Sequence, residues 1–324
     1  VPPVDLHEIQ HAHNRLADVS VRTPVLAYGG DVPAGNKLWL KAECLQRTGS
    51  FKFRGAYNAI SSLSAEERER GVITYSSGNH GQAVACAASM LGVRSVVVMP
   101  EDAIPVKVAL TRRWGAAVEF AGHSSLDRQA RALELVEEHG YTVIPPFDDR
   151  RIIAGQGTTG LEILEQKPNV EAVVVPVGGG GLISGISTAI KALRPDVRVI
   201  GVEPDGGADA KASFETGTLV TLGHVETVAD GLRTSRIGDL NFATIRECVD
   251  EIVTVSDEQA LQAVGLLANE ARLVVEPSGA VTTAAVLFGR TGLTATAVLA
   301  VISGGNIDPA RLRTCLAEPA LAGS

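Results

Sequence analysis

Three stretches of this sequence combine residues able to do chemistry with glycines able to hold a ligand. The first is Ser50-Phe51-Lys52-Phe53-Arg54-Gly55. A lysine between two aromatics at the start of a helical pattern loses hydration. Desolvation disfavours the ammonium, lowers its pKa and frees the amine as a nucleophile. The helix N-terminus works in the same direction, because its dipole repels a cation. On this hexapeptide alone, a lysine snorkelling from the surface explains the pattern equally well. The second stretch is Ser76-Ser77-Gly78-Asn79-His80-Gly81-Gln82, between a strand and a helix. Such a loop at the carboxyl end of a parallel strand points backbone N–H groups at a ligand, and suits a carboxylate. An ordinary helix cap uses the same residue types, but over a shorter run. The third is Gly178-Gly179-Gly180-Gly181, also before a helix, where the backbone can wrap a phosphate with the helix dipole behind it. A dinucleotide fingerprint competes here: Gly179-x-Gly181-x-x-Ser184 nearly satisfies G-x-G-x-x-G/A, with Glu203 ending the next strand. No G-x-x-x-x-G-K-[ST] occurs, which excludes a nucleotide-hydrolysing P-loop. A fourth motif, Ser303-Gly304-Gly305-Asn306, reads as a turn when taken alone.

The elements that must position these motifs alternate along the chain. Val4 to Leu16 has helical spacing, with Leu6, Ile9 and Leu16 on one side, and Thr23-Pro24 ends it. Lys37 to Ala42 alternates like a strand, and Gly49 to Leu63 is helical. From Val72 the rhythm is strand, helix, strand, helix: Val72–Tyr75, Gly81–Leu91, Val93–Met99, Val106–Trp114 with Arg112 and Arg113 outward, Ala117–Phe120, Ser124–His139, Thr142–Ile144. A loop is expected from Pro145 to Arg151, then a helix over Thr158–Gln166. The strand Ala172–Val177 runs into the four glycines, a helix follows to Leu193, and strands follow at Val197–Val202 and Ala295–Ile302. This alternation implies an α/β fold with right-handed parallel crossovers. Without a repeat or a long linker, two units sharing one core fit better than two independent domains.

Composition sets the outer limits. The chain has 324 residues, 45% of them hydrophobic, enough for a large core. A net charge of −8, spread evenly, argues against nucleic acid as the main partner. Cys44, Cys86, Cys248 and Cys315 are far apart, with no C-x-x-C, and read as thiols of a reduced cytosolic chain. No run of ~18 apolar residues lacks glycine or charge, so no membrane span is expected. The opening VPPVDLHEIQ lacks the basic and apolar regions of a signal peptide.

The four motifs, in this order, resemble the fold-type II pyridoxal-phosphate enzymes, within them the serine/threonine dehydratase and serine racemase group. The resemblance runs from about Leu6 to Asn306 and extends to Ala229-Asp230-Gly231 and Val275-Glu276-Pro277-Ser278-Gly279. It implies two open, twisted, mostly parallel sheets flanked by helices. Residues 1–70 and 146–324 would form a large cofactor-binding domain, and residues 71–145 a small one. It implies that Lys52 holds pyridoxal 5'-phosphate and removes the substrate Cα proton. Phe51 would pack near the ring, and Asn79 would meet its phenolic oxygen. Gly178, Gly179, Gly180, Gly181 and Leu182 would cradle the phosphate, with Ser303 at the pyridine nitrogen. Ser76, Asn79, His80 and Gly81 would receive the substrate carboxylate. The implied reaction is β-elimination of L-threonine or L-serine to a 2-oxo acid and ammonia. The neutral Ser303 suits elimination over transamination, because it does not hold the ring nitrogen protonated.

Two other outcomes stay open on the same residues. In the resembling racemases the position of Ser77 returns a proton to Cα from the face opposite the lysine, so Ser77 permits serine racemisation. Arg233 and Arg236, in a segment usually less charged, are either surface residues or a grip on the distal carboxylate of a 3-hydroxyaspartate. The resemblance further implies a Mg²⁺ or Ca²⁺ site at Glu203, Gly207 and Asp209, a segment that otherwise reads as a solvated acidic loop. His11 and His13, near His7, admit a second metal reading, although an exposed polar helix explains them as well. A homodimer is implied by the same resemblance. The chain ends soon after Asn306, so end-product feedback of the kind that needs an added regulatory domain is not expected.

Overall fold

A computed structural model describes residues 4–76, 78–103, 105–123 and 125–317. Its strands are β1 (Val25–Ala27), β2 (Lys37–Lys41), β3 (Val72–Tyr75), β4 (Ser95–Met99), β5 (Ala117–Phe120), β6 (Thr142–Val143), β7 (Ala172–Pro176), β8 (Arg198–Pro204), β9 (Glu251–Val255) and β10 (Ala297–Val301). One six-stranded sheet has the order β1-β2-β10-β7-β8-β9, and a second, four-stranded sheet has the order β5-β4-β3-β6. Every pairing is parallel except β1 with β2. Parallel strands need covered faces, and the sequence supplies them: Ala172-Val173-Val174-Val175-Pro176 is buried throughout.

The covering helices are α1 (Leu6–Leu16), α2 (Lys52–Ser61), α3 (Ala65–Arg70), α4 (Asn79–Met90), α5 (Pro105–Arg113), α6 (Ser125–His139), α7 (Arg150–Gln166), α8 (Gly181–Leu193), α9 (Asp209–Thr216), α10 (Asp239–Cys248), α11 (Asp257–Ala271), α12 (Pro277–Leu287) and α13 (Pro309–Ala317). Apolar side chains fill one face of the large sheet beneath α11 and α12, and the other beneath α8 and α10. In α1, Ile9 and Leu16 are buried as their spacing predicts.

Several boundaries differ from the sequence expectation. The helix expected to begin at Thr158 begins at Arg150, where the Asp149 carboxylate accepts from the Arg151 and Ile152 amides. Its first turns run Ile-Ile-Ala-Gly-Gln-Gly, and glycine weakens a helical pattern in sequence. Packing overrides that weakness. A Cβ at Gly155 would come within 2.6 Å of the Gly55 Cα, so α2 and α7 cross at backbone contact. The helix expected from Gly49 starts at Lys52, after a 3₁₀ turn over Arg47–Gly49 in which Thr48 has φ of 61°. The helix expected from Gly81 starts at Asn79. The elements β1, β9, α3 and α9 to α13 carried no sequence expectation at all.

Candidate active site

Each motif occupies the carboxyl end of a parallel strand. Lys52 is the first residue of α2, reached from β2 of the large sheet, and no side chain caps that helix. Its Nζ donates to the Pro146 carbonyl at 2.7 Å and stands 5.1 Å from the centre of the Phe51 ring. Burial alone pulls the ammonium down to about 8. Of the two flanking aromatics, only Phe51 bears on the lysine. Phe53 is fully buried and packs on Tyr57, with ring centres 5.6 Å apart.

The glycine run joins β7 to α8. Gly180 is the N-cap residue of α8, with φ of 92° and no side chain to cap the helix, so the first amides of α8 point outward without a partner of their own. A Cβ at Gly179 would overlap the Phe147 ring. The loop is therefore a backbone cradle pressed against an aromatic wall. Asn241 fixes it from behind, donating to the Gly179 carbonyl at 2.8 Å. Leu182 turns into the core.

Asn79, His80 and Gly81 open α4, which Gly78 likewise leaves without a side-chain cap. The Ser76 Oγ accepts from the Gly78 amide at 3.3 Å. Ser77 lies outside the described residues. Asn79 is gripped at both ends: its Nδ2 donates to Glu276 at 2.7 Å and its Oδ1 accepts from Asn306 Nδ2 at 2.8 Å. His80 is buried, and its Nε2 meets the Ile144 carbonyl at 2.9 Å. Burial, with help from the Lys52 charge and against the Ile144 hydrogen bond, drives the ring down to about 3, so it is neutral. A carbonyl only accepts, so the proton sits on Nε2. The Nδ1 lone pair, buried without a partner, repels a carboxylate. What His80 offers an anion is its backbone N–H, not its ring.

Ser303 follows β10 and is buried beside α12, its Oγ donating to the Ser278 carbonyl at 3.5 Å. The Phe51 amide donates to the Ser303 carbonyl at 3.1 Å, and Ser50 bridges Gly304. These bonds lock the lysine turn to the Ser-Gly-Gly-Asn turn.

Some contributors had little signal in the sequence. Glu276 belonged to a quoted motif without a role, yet it sits between Asn79 and Gly304 with its carboxyl at about 7. Burial is the main cause, followed by the charge of Asp230, against the Asn79 hydrogen bond. Pro146, Phe147 and Asp148 were read only as loop. They hold Lys52, wall the glycine run and cap α10 through bonds to the Asp239 and Leu240 amides at 3.0 Å. The available hint was an aromatic and an acid after a double proline, Pro145-Pro146-Phe147-Asp148.

Other candidates lie apart from this cluster. Arg233 donates to the Thr227 carbonyl, with Nε at 2.9 Å, and Arg236 pairs with Asp239 at 2.6 Å. Glu203, next to last in β8, is buried, with its oxygens accepting from the Ala210 and Lys211 amides at 2.9 and 2.7 Å. Asp209 and Gly207 are buried next to it, and neither Asp209 oxygen has a hydrogen-bond partner. His7 and His11, not His13, meet on α1, Nε2 to Nε2 at 3.0 Å, exposed.

The geometry fits pyridoxal phosphate: a desolvated lysine, a glycine run opening a helix without a side-chain cap, and a buried serine are joined through Pro146-Phe147 and the Phe51–Ser303 bond. The comparisons agree. Residues 18–304 match the family described as pyridoxal-phosphate dependent enzyme. The chain is 42% identical over 310 residues to L-threo-3-hydroxyaspartate ammonia-lyase of Saccharomyces cerevisiae, covering 95% of each chain. It is 45% identical over 307 residues to L-threonine ammonia-lyase of Thermotoga maritima, covering 94% of this chain and 76% of that one. The solved structure of maize serine racemase superposes with a TM-score of 0.92 at 37% identity, covering 97% of each chain. A buried lysine, two uncapped helix starts and a buried serine, arranged on two mostly parallel sheets, together with the matching family and relatives, place this chain in the family of pyridoxal-phosphate-dependent enzymes.

Proposed function

We propose that the protein is an ammonia-lyase that eliminates the β-hydroxyl of a small amino acid, L-threonine or L-serine, giving a 2-oxo acid and ammonia. The carrying observation is Lys52, an amine lowered to about 8 beside a phosphate cradle and a neutral serine. Pyridoxal phosphate, when bound, supplies the sink for the electrons released at Cα. Lys52 holds the cofactor and moves the Cα proton, and at neutral pH a useful fraction of it is uncharged. The outward amides of α8, with Gly178 to Leu182, bind the phosphate. Phe51 packs near the ring, Asn79 is held by Glu276 and Asn306 to meet its phenolic oxygen, and Ser303 faces its nitrogen. The uncapped start of α4, with Ser76, Asn79, His80 and Gly81, orients the substrate carboxylate through backbone N–H groups. Ser77 is assigned the return of a proton to Cα. Residues 71–145 form the small domain over the site.

The nearest competing substrates are set by the relatives' names: 3-hydroxyaspartate and, for inversion, serine. A panel of L-serine, L-threonine, their D forms and the 3-hydroxyaspartates, scored for oxo acid and for inverted amino acid, tests the reading. L-threonine or L-serine should give the largest kcat/KM for oxo acid. A preference for hydroxyaspartate would replace the proposed substrate, and absence of oxo acid from every member would end the lyase reading. D-serine formed from L-serine in deuterated buffer, and lost in Ser77→Ala, is the expected mark of Ser77.

We also propose a Mg²⁺ or Ca²⁺ site at Glu203, the Gly207 carbonyl and Asp209. Two neighbouring buried carboxylates are costly without a cation. Burial pushes Glu203 to about 8, with Asp209 adding to it, and burial pushes Asp209 to about 7. Millimolar Mg²⁺ or Ca²⁺ should raise Tm by several degrees, by mass action on the folded state alone. A chelator should reverse the gain, and Asp209→Asn should abolish it. An equal Tm with and without cation would refute the site. A homodimer accords with Leu45 and Val274, 50% and 53% exposed on two segments that both press on Gly305. A cytoplasmic setting accords with Cys44, Cys86 and Cys248, which form no disulfide. Among the described residues no helix is long and apolar enough to cross a membrane.

A further inference from the structure

The small domain meets the rest of the molecule chiefly through α4, whose Asn79 bonds Glu276 and Asn306. There α4 packs on α2 through Phe53, Ala56 and Ile60 against Ala83, Val84 and Ala87, all fully buried. A second link crosses at α5. Lys107 Nζ, on α5, pairs with Asp230 at 3.1 Å, although the two residues are 123 positions apart in the chain. The main packing of α5 is on α4 and β5 of its own domain, and this pair links it to the 230–232 turn.

Asp230 is well placed to be the fixed jaw. It opens the turn Asp230–Leu232, whose Gly231 amide donates to Ser278 Oγ at 2.9 Å. The same turn lies against the glycine run, where a Cβ at Gly178 would stand 3.2 Å from the Leu232 Cα. Ser278 in turn accepts from Ser303 through its carbonyl. The jaw is thus tied to the phosphate cradle and to the ring-facing serine. Both charges of the pair also bear on Glu276, in opposite directions, and Glu276 holds Asn79. The Lys107 side chain is 23% exposed and that of Asp230 is 49% exposed, so the pair is neither buried nor a free surface contact.

We propose that Lys107 and Asp230 form an electrostatic clamp that keeps the small domain closed over the cofactor site, making Lys107 a positioning residue. The proposal rests on the site assigned above. A clamp of this kind biases an open–closed equilibrium, and substrate affinity falls with the closed fraction. Its strength lies at the upper end for partly exposed pairs, about fivefold in population. The loaded holoenzyme of Lys107→Met should keep its visible cofactor band and its kcat within about twofold, while KM for L-threonine rises, by at most about fivefold. Raising ionic strength should raise KM of the wild type and leave that of Lys107→Met unchanged, because screening weakens only an intact pair. The exchanged pair, Lys107→Asp with Asp230→Lys, should recover most of the lost affinity. Amide hydrogen exchange on the holoenzyme, without substrate, gives a readout independent of turnover: α5 and the 230–232 turn should exchange faster in Lys107→Met. Unchanged exchange and a salt-insensitive wild-type KM would overturn the clamp. Faster exchange in an enzyme that makes no oxo acid would retain the clamp and remove the proposed reaction instead.

Discussion

Lys52→Ala should fold, lose the visible absorbance of the loaded enzyme, and lose oxo-acid formation by roughly 10³-fold or more, the scale of removing a positioned proton-transfer group. The fold should survive because Lys52 makes few structural contacts: one hydrogen bond to Pro146 and a loose approach to Phe51. Removing the ammonium even relieves a desolvation cost. That cost has a pH signature. Burial lowers the folded pKa of Lys52 from 10.5 to about 8, so the folded chain binds fewer protons than the unfolded one between those values. The apoprotein therefore loses stability as pH falls from 10.5 toward 8, and loses no more from this group below 8. The uncharged amine captures the cofactor, so the rate of covalent reconstitution of apoprotein should climb about tenfold per pH unit below 8 and level off above it. Stopped-flow absorbance against pH measures it. A flat profile, or capture retained by Lys52→Ala, would show that another amine is the acceptor.

Much of this arrangement is legible in the sequence, because it is made of local rules. A buried parallel strand reads as an unbroken apolar run, and a glycine run after it marks an uncapped helix start. That logic placed Gly178 to Gly181 and the Asn79 turn at strand ends before any coordinates. It failed where a signal is tertiary. Helix α7 was cut short because Gly155 and Gly157 weaken it locally, whereas their value lies in letting α2 and α8 approach. Phe147 carries no local mark of function; its role exists only where its ring meets Gly179. For His80 the sequence shows the loop and not the ring's partner: the Ile144 carbonyl, 64 residues away, takes the ring proton. For Arg233 and Arg236 the sequence shows charge and not neighbours, and a surface role and a carboxylate grip both fit it. The Thr227 carbonyl and Asp239 engage them.

The second large effect is expected two residues from the lysine. Arg54→Met should destabilise the protein by about 3–5 kcal/mol, the penalty for breaking a buried ion pair from one side. Arg54 and Glu43 are fully buried, and Glu162 nearly so. The guanidinium uses its whole fork, on Glu43 at 2.8 Å through Nε and again at 2.8 Å through Nη2, and on Glu162 at 2.7 Å through Nη1. Burial alone would weaken its charge, but the two carboxylates more than offset that. Lys41 is also buried and pairs with Glu162 at 2.5 Å, so the cluster holds two cations and two anions. Losing Arg54 leaves two buried carboxylates sharing one ammonium. Thermal unfolding of the apoprotein should shift down on the order of 10 °C. Lys in place of Arg should recover little, because one ammonium cannot reach both carboxylates in fork geometry. Pairing Arg54→Met with Glu43→Gln should restore part of the loss, since the second change removes the stranded charge. Additive losses in that double variant would mean that the cost is packing of the long side chain, not charge. The same cluster joins β2, α2 and α7, and Lys52 begins α2. Partial unfolding there should therefore release the lysine turn first, seen as loss of the visible band ahead of the global transition.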